Sequence, residues 1–130
     1  MAAVDDVLSE MALAPVRVFV VWEPVIPTDV GPPTNRALAL APDRRVAQLW
    51  DPHRSVSQEI VRSAMADPTL LSSDDGEIDE STIVWDVVAV FPPGVEWGDA
   101  FPKPSMHGFP IVDVIAPLRE ALYPSSAVAR

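Results

Sequence analysis

The sequence Val-Arg-Val-Phe-Val-Val-Trp at residues 16–22 is the densest run of β-branched and aromatic residues in the chain. Residues of these types favour strands, so the run is predicted to form a buried strand. The next seven residues, 23–29, contain two prolines, which cannot continue the hydrogen-bonded ladder of a strand. We therefore expect the strand to end at a rigid, polar loop and the rest of the chain to be organised around it.

The composition is that of one globular domain. The chain has 130 residues, of which 48% are hydrophobic, and this is enough for a single core. We predict one domain over residues 1–130. The N-terminus lacks the basic region and apolar block of a signal peptide, and no apolar run approaches the length of a membrane span. The expected location is therefore the cytoplasm.

Charge and cysteine content exclude several classes of function. The formal net charge is −10, which disfavours binding to nucleic acid or to anionic membrane surfaces. The chain has no cysteine. Disulfide exchange, thiol nucleophiles and thiolate–metal sites are therefore chemically impossible for this sequence.

Apolar residues at helical spacing, with capping residues and prolines at the ends of the runs, predict several helical segments. They are 3–14, 34–40, a short helical turn at 44–50, 51–66 and 113–122. Residues 111–115 could instead form a strand that leaves only the end of the last segment helical, but the helix is favoured.

A second strong strand is predicted at Thr82–Phe91, and Val95–Trp97 is expected to form a short strand that returns beside it. An acidic surface loop is predicted at 67–81 and a proline-rich loop at 92–110. Strands separated by helices indicate an α/β sandwich.

Three short motifs, together with this order of elements, resemble those of a known fold. They are residues 20–29 (Val-Val-Trp-Glu-Pro-Val-Ile-Pro-Thr-Asp), 45–51 (Arg-Val-Ala-Gln-Leu-Trp-Asp) and 84–87 (Val-Trp-Asp-Val), with a weaker match at Trp97 and His107. By its order of elements and by these motifs, the chain resembles the thioredoxin-like fold and, within it, an uncharacterised bacterial family. The resemblance covers about residues 16–107 and implies a mixed sheet flanked by helices.

The chain departs from that fold at its beginning. Thioredoxin-like domains open with a strand that leads into a cysteine-bearing helix start, and this chain begins inside the equivalent of that helix. The resemblance therefore implies a domain truncated at the N-terminus and without redox chemistry. In that fold the opening strand lies between the equivalents of 16–22 and 82–91. These two strands could pair directly in antiparallel fashion, or another chain could fill the slot between them.

Two groups of residues could form a ligand site. Glu23 and Asp29 follow the first strand, at the end where open α/β sheets bind ligands, and could act as an acid/base pair. Otherwise they are solvated carboxylates, with Asp29 bonded to its own turn. The four tryptophans could line an aromatic pocket or simply pack in the core; they are Trp22, Trp50, Trp85 and Trp97.

No metal site is predicted. His53 and His107 could join Asp51, Asp86 or Glu23 around a metal, but no pair has the spacing of helical ligands. The acidic residues at 74–80 do not meet the spacing of an EF-hand loop. We assign no catalytic residue and no cofactor.

The sequence favours a redox-inactive binding or assembly module that forms homo-oligomers or takes a strand from a protein partner. One alternative is a ligand-binding protein, or a hydrolytic or metal-dependent enzyme, with a Glu/Asp/His cleft. Another is a fragment of a longer thiol–disulfide protein. The candidate ligand-binding residues are Trp22, Glu23, Asp29, Trp50, Trp85, Asp86 and His107.

Overall fold

The computed structural model describes residues 1–71 and 78–123 and shows a mixed α/β chain. By its internal contacts the chain divides into two compact units, Met1–Val56 and Ser57–Arg130, called here the first and second unit. The prediction of a single domain stays a prediction. Among the described residues, no helix has both the length and the apolar character that crossing a membrane requires.

The first unit contains the predicted central strand. Its elements in order are α1 (Ala2–Glu10), β1 (Val18–Trp22), α2 (Asn35–Leu38) and β2 (Val46–Trp50). β1 and β2 are parallel and in register from Val18 opposite Val46 to Trp22 opposite Trp50. Thr34 caps α2 as expected, because its hydroxyl accepts the N–H of Ala37 at 3.3 Å.

The prediction of a helical turn at 44–50 is wrong, because this segment forms β2. Its apolar residues Val46, Leu49 and Trp50 have helical spacing. In the structure the backbone instead pairs with β1, and a ladder of five residue pairs outweighs a weak local preference for helix.

The register leaves one edge of β1 without a neighbouring strand. The N–H of Val18 donates to the carbonyl of Arg45 at 3.0 Å, and the N–H of Asp51 donates to the carbonyl of Trp22 at 2.9 Å. In a parallel ladder alternate residues of a strand bond to the same neighbour. The backbone groups of Phe19 and Val21 therefore point to the opposite edge, with which no strand pairs in the described part of the chain.

One face of this small sheet is apolar and exposed. Side chains alternate between the two faces of a strand, so Phe19 and Val21 share a face with Ala47 and Leu49, their partners in register. Phe19 is 59% exposed and Leu49 is 51% exposed. Parallel sheets are usually covered on both faces, which makes this exposure a feature to explain.

The second unit contains most of α3 (Ser55–Ala66), then β3 (Val88–Val90), β4 (Met106–Gly108), a 3-10 turn (Ile111–Asp113) and α4 (Ile115–Leu122). β3 and β4 are antiparallel. The helix favoured at the C-terminus is confirmed with a later start, and the strand alternative at 111–115 is wrong. One buried cluster lies on the C-terminal side of α3, and it comprises Ala64, Leu70 and Leu71 with Ile60, Ile78, Val84 and Val87 packed against it.

The strand predicted at Thr82–Phe91 is much shorter than expected. Only Val88–Val90 forms a ladder, since Asp86 has a φ of 52°, which no regular strand contains. The returning strand predicted at Val95–Trp97 is also wrong: β3 pairs with β4 instead, across the proline-rich loop. Residues 72–77 of the acidic loop and the tail from 124 lie outside the described residues.

The four described strands form two separate sheets of two strands each, rather than one mixed sheet. Direct antiparallel pairing of 16–22 with 82–91 is not among the observed ladders. Instead, β1 pairs with β2, the strand that the sequence did not predict, and β3 pairs with β4. The α/β class is as predicted.

Candidate functional site

Arg45 fixes the end of α1 beside the start of β2. One guanidinium nitrogen, Nη1, donates to the carbonyls of Met11 at 2.6 Å and Ala14 at 3.3 Å. The other, Nη2, donates to the carbonyl of Leu8 at 2.6 Å. These carbonyls lie at and beyond the helix end, and each of them also accepts the N–H of a residue two or three positions further along the chain. Arg45 therefore adds a second hydrogen bond to each carbonyl at the C-terminus of α1, from 31 or more residues away along the chain.

Asp43 holds the guanidinium of Arg45 in this position. Its Oδ2 accepts from Nη2 at 2.7 Å and its Oδ1 accepts from Nε at 2.9 Å. Oδ1 also accepts the backbone N–H of Arg45 at 2.8 Å. The side-chain hydrogen bonds from Arg45 lower the pKa of Asp43 to about 2, and the bond to Asp43 raises the pKa of Arg45. The pair is thus fully ionised at neutral pH and serves the architecture.

Gln48 makes a similar connection on the other side of β2. Its Nε2 donates to the carbonyls of Leu38 at 2.8 Å and Ala41 at 3.3 Å, at the end of α2. Its Oε1 accepts the indole N–H of Trp22 at 3.0 Å. One amide side chain therefore satisfies the end of a helix and the polar atom of the tryptophan that ends β1.

Asp51 caps the helix that follows β2, as expected from the sequence. Its Oδ2 accepts the N–H of Val56 at 2.9 Å and its Oδ1 accepts the N–H of His53 at 3.1 Å. Burial alone would raise the pKa of Asp51, but hydrogen bonds from the backbone of Val56, His53 and Ser55 outweigh it and lower the pKa. The polar residues of the motif at 45–51 therefore have structural roles, because each of them is hydrogen-bonded to the end or the start of a helix.

Asp29 is used by the loop that follows β1. Its Oδ2 accepts the N–H groups of Val25 and Ile26, both at 3.0 Å, which is the local turn bond considered above as the alternative to an acid/base pair. Glu23 is half-buried at the end of β1.

The tryptophans are divided between the two units. Trp22 and Trp50 are half-buried and directly opposite each other in the β1–β2 ladder. Trp85, in the second unit, is 65% exposed. Trp97 contacts Phe101 edge to face, with ring centroids 5.0 Å apart. Phe101 contacts Phe91 in the same way at 5.6 Å, so Trp97 belongs to an aromatic cluster of the second unit.

The other two candidate residues have clear local positions. Asp86 is exposed and adopts a φ of 52°, a conformation that aspartate tolerates better than most residues. His107 is half-buried in β4, opposite Ala89. Within residues 1–71 and 78–123, no three histidine or acidic side chains are grouped as metal ligands would be.

Comparison of the chain with protein-family models, with curated proteins and with solved structures found no match.

The contacts around β1 and β2 define a candidate binding edge that the sequence predicted only in part. The residues missed were Arg45 and Gln48, whose bonds to helix ends depend on tertiary contacts 7 to 37 residues apart. They connect β2 to the ends of α1 and α2 and, through Trp22, to β1, and the open edge of β1 lies beside the exposed ring of Phe19. The edge of β1, from Arg17 to Glu23, is the best-defined candidate site of the first unit.

Proposed function

We propose that the protein is a redox-inactive, thioredoxin-like module that binds a strand of another polypeptide at the edge of β1 and assembles with itself in this way. The observation that carries the proposal is the edge of β1, with which no strand pairs among residues 1–71 and 78–123, beside an exposed apolar face. The resemblance leads to the same edge, because the thioredoxin-like fold has its opening strand next to the equivalent of residues 16–22.

The chemistry of an open edge supports binding to a polypeptide. Phe19 and Val21 each direct an N–H and a C=O away from β2, and such a row of groups is a template for another strand. Addition of a strand uses main-chain hydrogen bonds for affinity and side-chain contacts for specificity. Phe19, more than half exposed, supplies an apolar contact next to these groups.

The alternative of an enzyme with a Glu/Asp/His cleft has less support. The carboxylate of Asp29 is bonded to its own turn and that of Asp51 to the start of α3.

The proposal is tested by sedimentation velocity of the full chain over a wide range of concentration. We expect species larger than the 14.1 kDa monomer that increase with concentration. A single monomer boundary at every concentration would overturn self-assembly.

A variant at the edge tests the place of binding. Val21→Pro removes an N–H that points away from β2, so it blocks the open edge while sparing the β1–β2 ladder. We expect it to be monomeric. Phe19→Lys is a second variant, because a lysine on an edge strand opposes pairing without changing the backbone. If both variants remain folded and assemble like the wild type, the edge of β1 is not the binding site.

A further inference from the structure

We infer that the strand received by β1 is β1 of a second copy, paired in antiparallel fashion about a two-fold axis at Val20. In this register Arg17 of one copy lies opposite Glu23 of the other, and Phe19 lies opposite Val21. The inference rests on the proposed function and adds to it the partner and the register.

The hydrogen-bonding pattern of β1 allows this register. The residues that direct their backbone groups to the open edge are the odd-numbered ones, since Val18 and Trp22 bond to β2. In an antiparallel ladder two opposite residues exchange both of their hydrogen bonds. The register pairs odd residues with odd residues, so Phe19 and Val21 exchange two bonds on each side of the axis.

Both ends of the ladder coincide with positions that cannot extend it. The next pair outward would be Pro15 and Val25. Pro15 has no N–H, and the N–H of Val25 is already donated to Asp29 at 3.0 Å. The ladder therefore runs from Arg17 to Glu23 and is the same in both copies, as a two-fold interface requires.

The charges that flank β1 favour the same register. Arg17 precedes the strand and Glu23 follows it, with five uncharged residues between them. Antiparallel pairing about Val20 brings each arginine opposite the other copy's glutamate, and opposite charges at facing positions are stabilising. In-register parallel pairing would instead align Arg17 with Arg17.

The exposed aromatic side chain fits the arrangement as well. The guanidinium of Arg17 lies 5.4 Å from the centre of the Phe19 ring, so both side chains are on the apolar face of the sheet. In the pair, Phe19 would contact Val21 of the second copy on this face. Two sheets of two strands would then become one of four strands, with the edge of β1 removed.

The outer edge of β2 is a poorer candidate. The N–H of Val46, which points to that edge, donates to the carbonyl of Asp43 at 2.9 Å and closes the start of the edge.

Charge reversal tests the register. Arg17→Glu and Glu23→Arg each place like charges at both ends of the pair, so each should weaken the dimer by about tenfold or more. The double variant Arg17→Glu/Glu23→Arg restores opposite charges and should recover the wild-type dissociation constant in sedimentation equilibrium. If the wild type dimerises and the single variants leave its dissociation constant unchanged, the register is wrong while self-assembly stands. If the wild type is monomeric, both are overturned.

The absence of cysteine allows a second test. Facing residues of a non-hydrogen-bonded antiparallel pair have Cα atoms about 4.5 Å apart, within the range of a disulfide. Val20→Cys should therefore form a covalent dimer with diamide on a non-reducing gel. Val18→Cys is the matched control on the same face of β1, and its two copies would lie about 14 Å apart. Equal cross-linking of the two variants, or none for Val20→Cys in a protein that dimerises, would overturn the inference.

Discussion

Arg45 and Asp43 are joined at two points, with Nη2 2.7 Å from Oδ2 and Nε 2.9 Å from Oδ1. Two parallel bonds of this kind fix the plane of the guanidinium as well as its position. The same guanidinium donates to three carbonyls at and beyond the end of α1. The ion pair therefore determines how the N-terminal helix is attached to β2.

Acid should weaken the fold through Asp43. Its pKa is about 2 in the folded chain, below the ordinary value of 3.8. A carboxylate with a depressed pKa stabilises the folded state above its unfolded pKa, and this contribution is lost between about pH 4 and pH 2. Asp43→Asn should therefore show a smaller fall in the urea midpoint over this range than the wild type, and should be less stable at pH 7. Parallel curves for the two proteins would contradict the role of the ion pair.

Gln48 should be more important for stability than its position on a small sheet indicates. Gln48→Leu leaves the indole N–H of Trp22 and the carbonyls of Leu38 and Ala41 without this partner. We expect it to lower the free energy of unfolding by about 1–3 kcal/mol. The matched control is Leu49→Gln, at a half-exposed position of the same strand, which should change it by less than about 0.5 kcal/mol. Urea denaturation compares the two variants, and equal changes in the free energy of unfolding would count against the structural role of the Gln48 hydrogen bonds.

The backbone conformation of Asp86 predicts how substitutions at this position affect stability. At a φ of 52° a β-carbon is strained, so Asp86→Ala should destabilise the protein by about 1 kcal/mol, whereas Asp86→Gly should be neutral or stabilising. Thermal unfolding of the two variants measures the difference. Equal losses would show that the carboxylate itself, and not the backbone conformation, determines the residue at this position.

Two glycines of the second unit provide a matched pair. A β-carbon on Gly108 would lie 2.7 Å from Cγ1 of Val114, whereas one on Gly98 would have no heavy atom within 4 Å. Gly108→Ala should therefore cost about 1–3 kcal/mol through overpacking, and Gly98→Ala should have little effect. Addition of Val114→Ala should recover part of the loss in chemical denaturation. No recovery would place the cause of the loss elsewhere.

The parts of the fold that could be predicted from the sequence have strong local signals. The run at 16–22 contains β1, and Thr34 and Asp51 bond to the helix starts that they precede. The helix at the C-terminus was predicted two residues early. In each case a few neighbouring residues determine the structure, through β-branching or a side chain that reaches the next turn.

The parts that could not be predicted depend on distant contacts. β2 contains polar and helix-spaced residues, and only its ladder with β1 makes it a strand. β4 lies in a segment rich in proline, and its pairing with β3 spans about fifteen residues of loop. The candidate site shows the same division: the end of β1 was found from its sequence, whereas the roles of Arg45 and Gln48 required the structure.

The hydrogen bonds of Arg45, Gln48 and Asp51 also determine what a shared sequence motif can indicate about the function of a second protein. These three residues supply the polar positions of the motif at 45–51, and each of them is bonded to the end of a helix. A protein that shares this motif would share a way of fastening two strands and three helices together. Its presence in a second protein would thus indicate the same way of connecting strands and helices, and would by itself carry no information about the reaction, if any, that the second protein catalyses.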